Sequence, residues 1–509
     1  MTELPILTTL ILVPLVGALV TAFVPARRGP GGSTLAKQVG LGFSLLALVL
    51  AVTVAVGYQL DGGMQAEEVY EWIPALGVHW ALGVDGLGLL MVLLTAVLVP
   101  IVIVASWHEA DDEGSGGGKA FVAWALALES MSLAVFTATD VFLFYVVFEA
   151  TLIPAYFLIG GFGRPGRGRA ATKFLIYQLG GGLVMLASVI GLYVVSADAG
   201  APTYLLADLA ELDIDETTQR WIFVGFFVAF AIKAPMFPVH TWLADTTERT
   251  TTGTSVLLVC VLDKIGTFGM LRFCLGLLPD ASQWATPVVV VLALISIIYG
   301  ALVAIGQDDV LRLIGLTSLS HFGFIVLGIF VFSSTGGTGA ILYMVNHGIA
   351  TALMFLVAGF LIQRTGTASI RQMGGVERTA PVLAGFFLVA GLAACGLPGL
   401  SPFVSELMVI VAAFDEHWVL GAVAVLAIVL AAFYALWMYQ RTMTGPGREG
   451  VAPVADLDRR EVGIVAPLLL ALVLFGFYPM PLLDVINPVV HDTLAGVGIA
   501  QEAQEAGHQ

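Results

Sequence analysis

Charge is what this sequence has least of. Only 11% of its 509 residues are charged, against 58% hydrophobic, and the mean hydropathy is +0.96. Ordinary soluble domains carry about 25% charged residues, so a soluble multi-domain protein is excluded. Cysteine is almost missing. The three present, Cys260, Cys274 and Cys395, are scattered on apolar segments and cannot supply the four thiolates of a standard iron–sulfur cluster or a cysteine-rich zinc site; they read as packing residues. Positive charge is short too: a net charge of −16 excludes electrostatic binding to nucleic acid. The N-terminus lacks a basic stretch and a small-residue cleavage site, so its first apolar run is expected to be kept as a helix.

What the chain has in quantity is apolar length. A helix needs about 20 apolar residues to cross roughly 30 Å of hydrocarbon. Fourteen such runs are predicted, at 4–24, 35–57, 84–107, 119–138, 140–162, 170–196, 219–244, 252–277, 286–306, 309–332, 338–363, 380–414, 418–443 and 462–480. The fold class is therefore an all-α polytopic membrane protein. Cytoplasmic loops hold most Lys and Arg, and placing the loop after the first helix in the cytoplasm puts 17 of the 21 basic residues on that side, among them Arg27, Arg28, Lys119, Arg164, Lys173, Arg249, Arg312, Arg364 and Arg448. Both termini are then expected outside. Arg220 and Arg272 fall near the outer face, and Lys233 and Lys264 lie within the membrane.

This alternation gives helices 4 to 8 and helices 9 to 13 opposite orientations, two inverted five-helix repeats. The expected units are 1–118 (helices 1 to 3), 119–278, 279–445 and 446–509 (helix 14 and tail). The fourth helix of each repeat carries paired prolines, Pro235 and Pro238 in helix 7, Pro398 and Pro402 in helix 12. A proline removes an amide donor and clashes with the carbonyl four residues earlier. In a membrane the exposed backbone is tolerated only where protein or water satisfies it, and broken helices at matching positions of inverted repeats point to an ion or substrate pathway near the midplane.

Ionisable residues stand in the middle of six of these spans: Glu149 (helix 5), Lys233 (7), Lys264 (8), His321 (10), His347 (11) and Glu406 (12). A Lys at a helix centre costs roughly 2.5–3.5 kcal/mol on insertion scales, so it faces the protein interior or water and has a function. An ion pair between Glu149 and Lys233 would hold both charges, and separating them would let desolvation favour the neutral forms. Lys264, His321 and His347 read as a hydrated relay toward Glu406, because imidazole exchanges protons near neutral pH. His240 is a candidate entry element and Glu129 a candidate lining residue. Asp263, about 100° around the helix from Lys264, reads as structural. A GxGxxG match at Gly161, Gly163 and Gly166 lies in an Arg-rich loop between two membrane helices, not between a strand and a helix, and reads as a connector anchored by Arg164, Arg167 and Arg169.

On these residues the sequence resembles a known family. TDVFLFYVVFEATLIPAYFLIG (Thr139 to Gly160), KAPMFPVHTWLAD (Lys233 to Asp245), LDKIGTFGMLR (Leu262 to Arg272), SLSHFGF (Ser318 to Phe324), NHGIATALMFL (Asn346 to Leu356) and GLPGLSPFVSE (Gly396 to Glu406) look like the antiporter-like subunits of respiratory NADH:quinone oxidoreductase, complex I. The M type resembles it most, because an acid, Glu406, stands on the second broken helix and only about 29 residues follow helix 14. TTERTTTGTS (Thr246 to Ser255) departs from the family's Ala/Pro-rich sequence.

The resemblance implies proton translocation driven by quinone reduction elsewhere in a complex, with no cofactor or metal in this chain. NADH, FMN, iron–sulfur clusters and quinone would belong to partner subunits. It also implies two antiporter-like neighbours of the L and N types, and a bacterial plasma membrane. Alternatives are the D-type component of a multisubunit Na⁺/H⁺ antiporter, a component of a membrane-bound hydrogenase, a passive membrane scaffold, and a lone metabolite carrier; the last is disfavoured because the buried groups form a line, not a pocket.

Overall fold

The computed structural model describes residues 5–25, 33–60, 63–108, 117–200, 202–446 and 453–497. Arg27, Arg28 and Arg448 lie outside the described residues. In chain order the elements are α1 (Ile6–Phe23), α2 (Thr34–Gly57), a hairpin of β1 (Gln65–Ile73) and β2 (Val78–Val84), α3 (Gly86–Ala105), α4 (Gly117–Thr137), α5 (Val141–Gly161) and α6 (Arg167–Asp198). Then come α7 (Glu216–Lys233), α8 (Thr241–Arg249), α9 (Thr252–Leu275), α10 (Pro279–Ile305), α11 (Val310–Phe330) and α12 (Ser334–Thr365). The chain continues through α13 (Pro381–Ala394), α14 (Ser401–Glu416), α15 (Trp418–Met443), α16 (Arg459–Phe477) and α17 (Met480–Gly496).

Among the described residues, twelve helices are long and apolar enough to cross a membrane: α1 to α6, α9 to α12, α15 and α16. The protein is an all-α membrane protein. The two further runs expected from hydropathy, 219–244 and 380–414, are the two that divide, into α7 with α8 and α13 with α14. Burial orders the bundle. The most apolar stretches of α9 and α11 are 100% buried and that of α12 is 94% buried, whereas α2, α15 and α16 bury only 28% of theirs. The central three helices are thus shielded on all sides, and they carry Lys264, His321 and His347.

Basic residues at the ends of separate helices and in the α5–α6 connector form ion pairs with acids of other elements. Arg164 pairs with Asp309 (2.6 Å), Lys173 with Asp245 (2.6 Å), and Arg312 with both Asp245 (2.7 Å) and Glu248 (2.8 Å). Arg164 and Arg167 also tie down the glycine-containing connector, Arg167 by donating to the carbonyls of Gly160 (3.3 Å) and Gly163 (2.5 Å). Arg272 belongs to another cluster: it pairs with Asp85 (2.7 Å), which caps α3 by accepting from the Gly88 amide (2.8 Å). The threonines of Thr246 to Ser255 serve the turn between α8 and α9, where the Thr251 side chain caps α9 by accepting from the Thr254 amide (3.2 Å).

The hairpin is absent from the sequence-based expectations. Glu68, buried on β1, accepts from the amides of Leu7 (2.7 Å) and Thr8 (3.1 Å) and from the Thr8 hydroxyl (2.5 Å). It satisfies donors that the first turn of any helix leaves unpaired, and its negative charge suits that end of α1.

Each broken helix ends in a similar way. After Lys233 the Met236 amide bonds back five residues to the Ala231 carbonyl (3.0 Å), and after Cys395 the Leu397 amide bonds back five to Leu392 (3.0 Å). Neighbouring helices satisfy further groups at the breaks: Ser296 of α10 accepts from the Phe237 amide (2.9 Å), and Asn346 of α12 donates to the Ser401 carbonyl (2.8 Å). Pro402 lies in the first turn of α14, where its missing amide costs nothing; it starts the second half-helix, and Pro398 is the proline within the break.

Gly396 makes the second break possible. Its φ is +65°, and a Cβ there would lie 2.0 Å from Oε2 of Glu406. Gly366 has φ +69° with open space around it. Gly366→Ala is expected to cost only the left-handed backbone, roughly 1–2 kcal/mol. Gly396→Ala should cost more and displace Glu406. Melting temperatures of the two purified variants check this; an equal loss would mean that the contact with Glu406 relaxes freely.

Candidate functional site

The local bend of α5 comes first. Pro154 lacks an amide and crowds the carbonyl of Ala150, and the helix is interrupted at Thr151. The Thr151 hydroxyl donates to the Phe148 carbonyl (2.6 Å) and accepts from the Lys233 ammonium (3.1 Å). Lys233, fully buried at the last turn of α7, also lies 4.3 Å above the Phe148 ring, a cation–π contact worth about 2 kcal/mol when desolvated. A cation at a helix C-terminus further benefits from the unpaired carbonyls there.

Glu149 and Lys233 are electrostatic neighbours, but the direct ion pair expected between them is not formed. The Glu149 carboxylate points to α6, where a Cβ on Gly182 would lie 1.7 Å from its Oε1. That oxygen has no hydrogen-bond partner among the described residues. Lys233 donates to Thr151, two residues beyond Glu149, in place of the carboxylate.

Lys264 occupies the six-residue segment Lys264–Gly269 of α9, flanked by π-helical turns at Leu257–Leu262 and Met270–Leu275. Such turns often mark functional sites because they leave backbone groups free and change the direction of side chains. The Lys264 ammonium donates to the Val259 carbonyl (3.3 Å) and to Nδ1 of His347 (2.6 Å), and lies 4.4 Å from the centre of the Phe322 ring. His347 Nε2 reaches the Ser318 hydroxyl (3.2 Å). An ammonium has donors only, so His347 is the neutral tautomer that accepts at Nδ1.

The chain of groups continues through a residue that the sequence does not single out. The rings of His347 and His321 are 5.3 Å apart, and His321 Nδ1 lies 2.5 Å from the Tyr343 hydroxyl. Tyr343 in turn donates to Oε1 of Glu406, and His321 Nδ1 itself is 3.9 Å from that oxygen. With Tyr343 donating to an ionised Glu406, the Tyr343 oxygen is left to accept from His321, and Nδ1 of His321 is then the protonated nitrogen. The Tyr434 hydroxyl of α15 approaches His321 Nε2 at 3.5 Å. Lys264, His347, His321, Tyr343 and Glu406 are all buried. Tyr343 precedes His347 by four residues and Ser318 precedes His321 by three, spacings that put each pair on one helix face. That periodicity is the available signal for both.

The remaining candidates are separate from these groups. His240 stands at the N-cap position of α8 without a side-chain capping bond, packs its ring against Phe237 and Tyr299, and has Lys173 as its charged neighbour. Its Nδ1 has no partner among the described residues. Glu129, fully enclosed on α4, faces Ser44 of α2, and neither of its oxygens has a hydrogen-bond partner among the described residues. Pro235 and Pro238 bound the turn between α7 and α8, and the Phe237–Pro238 bond is cis. No cluster of three or more His, Cys, Asp or Glu side chains suited to a metal occurs among the described residues. Cys260, Cys274 and Cys395 are buried free thiols.

Comparison with known proteins places this geometry. The family model described as NADH:quinone oxidoreductase/Mrp antiporter, transmembrane, matches residues 138–431. NADH-quinone oxidoreductase subunit M of Mycobacterium tuberculosis is 47% identical over 541 aligned residues, covering 100% of this chain and 97% of that protein. Respiratory complex I from Thermus thermophilus with bound NADH contains a chain with a TM-score of 0.87 at 32% identity, covering 96% of this chain and 99% of that one. The Mrp complex of a Dietzia species matches with a TM-score of 0.85 at 22% identity, covering 98% of this chain and 100% of its own, and so shares the fold. On full-length identity and the matched family model, the chain belongs to the NADH-quinone oxidoreductase subunit M family.

Proposed function

We propose that this chain is a membrane-arm subunit of a proton-pumping NADH:quinone oxidoreductase, and that it moves protons through its buried Glu, Lys and His residues while quinone is reduced in other subunits. One observation carries the reading: Lys264, His347, His321, Tyr343 and Glu406 form a line of titratable groups across the three most buried helices to the second broken helix. Intramembrane ionisable groups arranged in a line, and not around a pocket, suit a proton relay. Lys233 and Glu149 form the other end. In this reading Lys233 is the switchable group, held by Thr151 in the state described and able to exchange with the Glu149 carboxylate. His240, beside the broken helix and next to Lys173, is the entry element.

The supporting architecture is two inverted repeats, 119–278 and 279–445, preceded by 1–118 and followed by 446–509. The matched five-residue turns at Met236 and Leu397 favour that division. The ion pairs between these basic residues and acids of other elements favour a cytoplasmic assignment for the face that holds them, with both termini outside a bacterial plasma membrane. Neighbours of the L and N types would pack against its flanks, and NADH, FMN, iron–sulfur clusters and quinone would be bound by other subunits. Purification of the assembly tests the partner assignment: flavin and iron–sulfur subunits should accompany this chain, whereas small cation-antiporter subunits in their place would support the antiporter alternative.

Three substitutions test the relay, read as the rates of NADH-driven proton uptake and of quinone reduction in vesicles holding the assembled complex. Positioned proton-transfer groups contribute about 10²–10⁴-fold to rate, so Lys233→Ala and Glu149→Gln are each expected to lower pumping by at least about tenfold. Full pumping with full quinone reduction in normally assembled variants would leave the chain a scaffold. Tyr343→Phe deletes only the hydroxyl that joins His321 to Glu406. It should slow pumping with little change in melting temperature, while a wild-type rate would remove Tyr343 from the path.

A further inference from the structure

Between Lys233 and Lys264 the line of groups has a gap, and one unused group lies in it. Asp263 is fully buried, and both of its carboxylate oxygens lack a hydrogen-bond partner among the described residues. Its electrostatic neighbours are the two lysines, Lys264 and Lys233. A buried carboxylate without hydrogen bonds is among the costliest groups a protein can carry.

Packing shows which way it faces. Asp263 and Gly266 are three residues apart and stand within about 60° of each other on α9, and Gly269 continues the same stripe one step further round. A Cβ on Gly266 would lie 2.4 Å from the Ala234 amide nitrogen and 2.6 Å from the Phe230 carbonyl, and one on Gly269 would lie 2.4 Å from the Phe230 ring. That face therefore lies directly on the end of α7 that carries Lys233. Lys264, one residue on and about 100° around the helix, points instead to His347 of α12. The π-helical turn just before Asp263, in which its own amide bonds back five residues to Leu258 (2.9 Å), sets this division of directions. Lys233 also keeps donors for it: of the three N–H groups of an ammonium it uses one, on Thr151.

We propose that Asp263 is a further proton carrier, taking a proton from the Lys233 ammonium and delivering it to a neutral Lys264. The inference rests on the relay reading above and fills its gap. In the first step one N–H bond of Lys233 breaks and an O–H bond forms on the Asp263 carboxylate, which leaves all three groups neutral. In the second that O–H bond breaks and Lys264 becomes the ammonium. The three groups together stay at zero net charge throughout, so no lone charge is left in the low-dielectric interior. Both lysines are beyond direct contact with Asp263, and the transfers run through side-chain rotation or an intervening water. The order of groups becomes Glu149, Lys233, Asp263, Lys264, His347, His321, Tyr343 and Glu406, with Lys233 between two carboxylates.

The test uses the assembled complex in vesicles, with Asp263→Asn, Asp263→Glu and, as the relay control, Lys233→Ala. Asp263→Asn keeps the shape and is expected to lower pumping by at least about tenfold, with Asp263→Glu restoring most of it. A fixed counter-charge would give the same pattern, so a second readout separates them. Infrared difference spectra recorded on energising wild-type complex labelled isotopically at aspartate should show a protonated-carboxyl band that carries the label and disappears in Asp263→Asn. Loss of pumping without that band would overturn the carrier role and leave a static charge. Normal pumping in Asp263→Asn with loss in Lys233→Ala would overturn this inference and spare the relay, and normal pumping in both would overturn both. If Asp263→Asn fails to assemble, the labelled band in wild-type complex, compared with its position in Asp263→Glu, decides the question.

Discussion

A charged side chain inside an apolar bundle must find its hydrogen bonds within the protein, and the architecture follows from that constraint. Moving an ammonium or a carboxylate out of water costs several kcal/mol even after relaxation. Lys264 meets the cost with a backbone carbonyl freed in a π-helical stretch, an imidazole nitrogen and an aromatic face. Lys233 does so with a threonine hydroxyl exposed by a proline bend and a second aromatic face. The first π-helical stretch of α9 and the interruption of α5 at Thr151 each hold an acceptor for one of the two lysines. The breaks, the bend at Thr151 and the π turns are parts of one solution.

Glycine supplies the close approach that this solution requires. Gly182 admits the Glu149 carboxylate to α6, Gly266 admits α9 to the end of α7, and Gly396 admits Glu406 to the second break. In each case a Cβ would lie under 3 Å from the group concerned. Helix packing in membranes lacks a hydrophobic driving force and depends on contact and polar bonds, which small residues permit. The polar groups come within reach of one another because the helices beneath them are brought unusually close.

The spans, the two breaks and six of the polar positions are legible in the sequence, because apolar length, proline and an isolated charge are local signals. What escapes depends on neighbours. Tyr343 reads as one more aromatic in an apolar helix, and only the fold brings its hydroxyl between His321 and Glu406. The Glu149–Lys233 pairing follows from shared depth alone; in the structure the two are electrostatic neighbours, and Lys233 donates instead to Thr151, two residues on. Asp263 reads as structural beside Lys264; the stripe it shares with Gly266 is visible in the sequence, but that this stripe meets the end of α7 is not. The hairpin at Gln65–Val84 escapes because its purpose, to present Glu68 to the first turn of α1, lies about 60 residues away in sequence and such long-range partners leave no periodic trace.

Acids and bases alternate along much of the proposed path. A carboxylate next to a lysine shares one proton with it at no net charge, and a lysine next to a neutral imidazole can pass its proton without creating a second charge. Two adjacent ammonium groups would repel, and two adjacent carboxylates could not both ionise. In the proposed order Asp263 stands between Lys233 and Lys264 and would keep like charges from meeting, and the hydroxyl of Tyr343 stands between His321 and Glu406. An acid, Glu406, at the far end makes the last group one that releases its proton as an anion, stabilised beside Tyr343 and reached by the break at Gly396. The polarity of the sequence of groups, from Glu149 to Glu406, is then a consequence of which side chains can be neighbours in a medium that tolerates charge only in compensated pairs.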